Sequence, residues 1–109
     1  MPRYCLTLDL KDDLVLIAEY EQHHRAIWPE IRKSILDSGI TDMEIYRFET
    51  RLFMIMDVDD SFSFERKGEM DATNDKVQEW ENLMWKYQEP FKNAVKGEKW
   101  AMMKRIFGL

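Results

Sequence analysis

The chain has one cysteine, Cys5, so no internal disulfide can form, and the small disulfide-stapled folds of secreted proteins are excluded. A reducing, cytoplasmic setting is the expectation. No run of roughly 18 apolar residues occurs, and the N-terminus lacks the apolar core of a signal peptide, so neither a membrane span nor a secretory leader is expected. Glycine (4) and proline (3) are scarce, which removes collagenous and linker-like classes. There is no glycine-rich phosphate loop, no GxSxG elbow and no CxxC pair. Positive charge is also short. With 16 Lys and Arg against 21 Asp and Glu, the net charge of -5 argues against a nucleic-acid partner but is silent on neutral ligands such as sugars. The only two histidines, His23 and His24, are adjacent, whereas helical chelation uses i, i+4 spacing, so no metal site is expected.

What the chain does have is apolar and flat. Of its 109 residues 45% are hydrophobic and 13% aromatic, with 8 methionines. That length suits one domain, residues 1–109, with one core. The aromatic and methionine content exceeds what so small a core needs, and burying the surplus against a second copy makes a homodimer the expected state.

Hydrophobic periodicity orders the elements. Arg3 to Leu10 alternates, with Tyr4, Leu6, Leu8 and Leu10 on one face of a strand. Asp12 or Asp13 can cap a helical pattern running from Leu14 to Asp37, which Pro29 must kink or break near Ile27–Trp28. Gly39 is placed to end it. Period two returns from Ile40, with Met43 and Ile45 facing one way and Glu44, Tyr46 and Phe48 the other. A turn at Glu49-Thr50-Arg51 leads into a second strand, Leu52 to Val58, apolar enough to be covered on both faces. Asp59 to Asp71 shows no clear pattern, with Ser61 a candidate cap. Asn74 caps a helix from Asp75 to about Tyr87. Asn93 to Lys99 reads as a polar loop and Trp100 to Phe107 as a last strand. The order β-α-β-β-α-β is a ferredoxin-like α+β fold, an antiparallel sheet with helices on one face.

Candidate chemistry concentrates between Tyr20 and Ile31. Tyr20, His24, Trp28 and Arg32 recur at i, i+4, beside Ile17, Ile27, Ile31 and Ile35. This places the His24 imidazole between the rings of Tyr20 and Trp28, on a helix that Pro29 opens. A partly desolvated imidazole titrates near neutrality and suits general acid–base work; an ordinary core histidine held by a backbone carbonyl is the competing reading. His23 points about 100° away, toward solvent. Aromatic rings with hydrogen-bonding neighbours can stack on the C–H face of a sugar, or can simply fill a core.

The motif Tyr20-x-x-x-His24-x-x-Ile27-Trp28-Pro29-Glu30-Ile31, then Gly39, Ile45-Tyr46, Trp80, Met84 and a terminal Ile106-Phe107-x-Leu109, resembles the L-rhamnose mutarotase family over nearly the whole chain. The resemblance implies a dimeric α+β barrel and cofactor-free exchange of the α and β anomers of a 6-deoxy sugar, with a small monosaccharide as the ligand. It gives His24 the role of proton donor and Tyr20 and Trp80 that of holding the sugar, with Trp28 in the same pocket. Two positions depart from the family's pattern. Glu81 follows Trp80 where an aromatic pair is usual, and Met43 replaces a sugar-contacting tyrosine. Both are expected to reshape the pocket, with L-fucose the leading alternative sugar and Glu81 a hydroxyl ligand or partner base. Dimeric α+β barrels also include monooxygenase-like and haem-binding proteins, in which His24 would serve as an iron ligand. A non-catalytic sugar-binding module is the third reading.

Overall fold

Three strands of alternating residues form the platform on which everything else rests. A computed structural model describes residues 2–93 and 99–109. Strand β1 (Arg3–Leu10) lies between β3 (Arg51–Val58) on one edge and two short strands on the other, and β2 (Ile40–Phe48) pairs with the far side of β3. All these pairings are antiparallel. Leu6 lies opposite Met54 and Leu8 opposite Leu52, while Ile45 and Met43 extend the same face opposite Met54 and Met56. The helices bury this face, and the core clusters join Leu6, Leu10, Leu52, Met56 and Val58 to it.

The break at Pro29 is the main event in the helical layer. Helix α1 (Leu14–Arg25) starts at Asp13, whose carboxylate accepts the N–H groups of Val15 and Leu16. It ends before the proline. Trp28 takes the extended backbone (φ -60, ψ 138) that a residue preceding proline favours, and helix α2 (Pro29–Asp37) restarts with Pro29 in its first turn. Gly39 then reverses the chain at φ 100, and a Cβ there would stand 2.7 Å from Asp59 Oδ1 and Ser61 Oγ.

Between β3 and the next long helix the structure adds an element. Helix α3 (Phe64–Ala72) is capped by Ser63, which accepts from Arg66 N–H, while Ser61 instead donates to Asp59 in the preceding turn. No residue of α3 is fully buried, so it carries no apolar stripe from which to read it. Helix α4 (Asp75–Trp85) follows, capped by Asn74, and buries Val77, Trp80 and Met84. The chain then forms β4 (Gln88–Glu89), which pairs with the Leu10 end of β1, and later β5 (Ala101–Met102), which pairs with Leu6 and Thr7 of the same strand.

The last strand is shorter than the alternation from Trp100 to Phe107 suggests. After the Met103 N–H donates to the Cys5 carbonyl, the ladder stops. In that register Lys104 and Arg105 would pass Tyr4 and Arg3, where β1 begins, and Ile106 and Phe107 would have no strand beside them. Both stand 89% and 74% exposed. The sheet's second face, with Cys5, Thr7, Phe53, Ile55 and Tyr46, carries the ion pairs Arg3–Asp57 and Arg51–Asp9, and the Phe91 ring lies 5.1 Å from the Arg51 guanidinium. Among the described residues no helix is long and apolar enough to cross a membrane.

Candidate active site

A cavity of about 430 Å³ lies between the helical layer and the sheet, within the range of small-molecule sites. Its floor is apolar, made by Leu6, Met43, Ile45, Met54 and Met56. Tyr20 and His24 enter from α1, Ile31 and Ser34 from α2, Lys67 and Asp71 from α3, Trp80 and Glu81 from α4, and Gln88 and Trp100 from the following segments. Five of the residues singled out from the sequence, Tyr20, Met43, His24, Trp80 and Glu81, therefore share one space. Trp28 does not line it. Because the helix breaks at Pro29, Trp28 leaves the line of Tyr20 and His24 and packs on Trp80, ring centres 5.2 Å apart. The second ring beside His24 is Trp80 instead, edge-on at 5.5 Å, with Tyr20 on the other side at 4.3 Å.

The imidazole of His24 is oriented by one bond. Its Nδ1 lies 2.8 Å from the Tyr20 carbonyl oxygen, which can only accept, so Nδ1 carries a proton. In the neutral ring Nε2 is then a lone pair. Burial lowers the His24 pKa from its usual 6.5, the Tyr20 carbonyl opposes this, and neighbouring His23 adds to the lowering. At pH 7 the ring is therefore neutral and able to take up a proton. Tyr20 moves the other way. Burial raises its phenol to about 12, although the Gln88 amide, donating to the phenol oxygen at 3.4 Å, pulls it back. Its own O–H proton is held firmly and remains available as a donor.

His23 is half-buried rather than turned to water. Its Nε2 lies 3.1 Å from the Tyr87 hydroxyl, which donates in turn to Glu19, so His23 donates to Tyr87. It packs against Tyr87 and Trp80 from outside the cavity. The adjacent histidines thus face different environments because successive helix residues diverge by about 100°. A second cleft shares Tyr20, His24 and Ile45 and is bordered by the Glu21–Arg47 pair, so the imidazole is approached from two sides.

The polar part of the wall was largely hidden in the sequence. Glu81 is bridged by Lys99 at 2.8 Å, and the buried Lys99 ammonium also donates to the Glu81 carbonyl and sits 4.5 Å over the Trp85 ring. Lys67 and Asp71 form an i, i+4 pair at 2.5 Å. That spacing was readable, but only once the segment is known to be helical. Gln88 arrives on a strand of two residues, too short to leave any pattern. Among the described residues two buried side-chain oxygens have no hydrogen-bond partner, Asp71 Oδ1 and Gln88 Oε1, and both belong to residues of this wall. An orphaned buried acceptor costs about 1–3 kcal/mol. Among the described residues no three His, Cys, Asp or Glu side chains gather as they would around a metal ion.

Comparison with known proteins supplies the family and the fold. The chain is 42% identical to an L-fucose mutarotase of Xanthomonas campestris pv. campestris, over all of this chain and 89% of that protein. Its fold matches the crystal structure of an L-rhamnose mutarotase from Formosa agariphila with a TM-score of 0.75 at 17% identity, covering 100% of this chain and 99% of that one. It also matches tetracenomycin F2 cyclase of Streptomyces glaucescens, a type-II polyketide cyclase, with a TM-score of 0.62 at 16% identity and the same coverage. At these identities the two structures speak to the fold alone. A family model described as L-rhamnose mutarotase matches residues 3–109, and the chain belongs to that family.

Proposed function

We propose that this protein is a cofactor-free mutarotase that interconverts the α and β anomers of a 6-deoxy-L-hexose, with L-fucose its preferred substrate. The observation that carries the reading is the His24 ring, fixed through Nδ1, neutral at pH 7 and set in the wall of a cavity beside Tyr20 and Trp80. The sugar preference is supported by the 42% identical relative named an L-fucose mutarotase, and by Glu81 and Met43 at the two departures from the family's pattern.

Anomer exchange needs a base at the anomeric hydroxyl and an acid at the ring oxygen. His24 Nε2 takes the proton of the anomeric hydroxyl as its oxygen becomes a carbonyl and the bond from the anomeric carbon to the ring oxygen breaks. The Tyr20 hydroxyl supplies a proton to the departing ring oxygen. Rotation of the aldehyde presents its other face, and closure returns each proton to its source, so His24 is the donor in the second half of the cycle. Trp80 offers a flat apolar surface to the sugar's C–H face, and the methionine-rich floor excludes water. Glu81, held by Lys99, is a hydroxyl ligand. The protein works as a homodimer, whose interface covers the bare face of the sheet.

Saturation-transfer NMR of anomer exchange on L-fucose and L-rhamnose tests this directly. His24→Ala is expected to slow exchange by about 100-fold or more while leaving sugar binding measurable. Binding with no exchange in the wild type would leave a sugar-binding module, and exchange unaffected by His24→Ala would remove the assigned base.

A further inference from the structure

Most of the cavity wall is explained by packing or by the anomeric chemistry at His24. The exceptions are two oxygens. Gln88 is 3% exposed and spends its amide nitrogen on Tyr20, leaving Oε1 unpartnered. Asp71 commits Oδ2 to Lys67 and leaves Oδ1 without a donor, and that ion pair is itself mostly withdrawn from water, with side chains 25% and 23% exposed. These are the two buried side-chain nitrogen or oxygen atoms without a partner among the described residues, and both belong to side chains that line one cavity. They enter from different elements. Gln88 hangs beside the Leu10 end of β1, whereas α3, carrying Asp71, starts at Phe64 against Tyr4 at the other end, ring centres 4.9 Å apart.

Natural cores rarely leave acceptors unpaired, and a half-satisfied ion pair is a poor way to hold a fold. Both orphaned atoms accept and neither donates. Both side chains line the cavity, and a small turn about the terminal torsion, within the reach of the bond to Tyr20 or Lys67, would set each oxygen toward it. A donor that arrives with the ligand would complete both. A sugar presents several hydroxyl donors around a ring, and L-fucose and L-rhamnose differ in the configuration of the hydroxyls at C2 and C4. We infer that Asp71 Oδ1 and Gln88 Oε1 each accept a hydrogen bond from a substrate hydroxyl, and that this pair selects between diastereomeric 6-deoxy sugars. The inference rests on the mutarotase reading and adds two specificity-determining residues to it. Lys67 is a positioning residue, since it fixes which Asp71 oxygen is left free.

The test compares exchange kinetics on both sugars for the wild type, Gln88→Met and the double variant Lys67→Met/Asp71→Leu, which removes the ion pair as a unit. Each variant is expected to raise the KM for the preferred sugar about ten-fold and to pull the ratio of kcat/KM between the two sugars toward one. The double variant is expected to change kcat far less, whereas Gln88→Met also removes the amide that donates to Tyr20 and so lowers kcat on both sugars alike. The thermal midpoint is expected to hold or rise, because an apolar group replaces an orphaned polar atom. A role confined to folding would instead lower the midpoint and leave KM and the ratio unmoved, which overturns the inference. Should the double variant not fold, Asp71→Asn, which keeps the shape and removes the charge, is expected to raise the KM about three-fold or more; an unchanged KM there overturns the assignment to Asp71. A wild type that exchanges neither sugar would sink the mutarotase reading itself, and is told apart by needing no variant to reveal it.

Discussion

His24 holds its proton on Nδ1 and its pKa lies below 6.5 because burial penalises the imidazolium. Two pH dependences follow, with the same sign. If neutral His24 starts the cycle, exchange rises as pH climbs through its lowered pKa and is level through neutrality. A rate profile of the anomer exchange checks this, and a rate falling across that range would put the protonated ring at the start instead. Stability follows the same group. Between the lowered folded pKa and the unfolded value of 6.5, the unfolded chain binds more protons than the folded one, so stability grows with pH across that window and is lost below it. Urea midpoints taken from about pH 5 to pH 7 should rise in the wild type and rise less in His24→Gln, whose side chain does not titrate. Individual residues were legible where helical spacing set them in register. Tyr20 and His24 were found that way, Trp80, Met43 and Glu81 came from the family resemblance, and Trp28 was placed beside the imidazole by carrying the helical spacing across the break expected at Pro29. Asp71, Lys67 and Gln88 gave no such signal, since a polar side chain on an unpatterned segment looks the same facing a cavity or facing water.

Elements were legible in proportion to the apolar stripe they bury. Strands β1 and β2 alternate, β3 is a short apolar run bounded by a turn, and α4 shows Val77, Trp80 and Met84 at helical spacing, so these stand in the structure close to their expected bounds. Pro29 and Gly39 announced the break and the stop, because each restricts the backbone wherever it falls. Helix α3 was missed for the converse reason, and β5 was drawn too long because alternation records two environments without saying whether this chain supplies the neighbouring strand. The caps make the quantitative tests at this scale. Asn74 accepts the N–H groups of Lys76 and Val77 at the start of α4. Asn74→Ala should cost about 1 kcal/mol in urea unfolding, and Asn74→Gly only a few tenths. Gly39→Ala should cost more than about 1 kcal/mol, since it adds a left-handed backbone penalty to the contacts with Asp59 and Ser61. A loss no larger than that of a typical surface substitution would mean that the turn relaxes freely.

A whole molecule with all its helices on one face of a sheet leaves the other face to be covered from outside. That face shows Phe53 and Ile55 at its centre, with Tyr46 opposite Phe53, and the chain beyond Met103 carries Ile106, Phe107 and Leu109 in the open. Burying each such side chain against a partner is worth about 1.5–3 kcal/mol before the costs of association, which is ample for a lasting dimer if several are buried together. Arg3 pairs with Asp57 and Arg51 with Asp9 within one chain, and Glu44, opposite Ile55, accepts from the Tyr46 hydroxyl. Light scattering on the purified protein should therefore give twice 13.2 kDa across the micromolar range. Phe53→Glu sets a carboxylate at the centre of the sheet's outer face without touching the helical core, and is expected to shift the equilibrium to the monomer at the same concentrations. If Phe53→Glu stays dimeric while truncation after Met103 dissociates the protein, the terminal segment holds the subunits together and the sheet face does not. A monomeric wild type would remove the dimer, and would require that the cavity, with His24 and both unpartnered oxygens, do its chemistry within one chain.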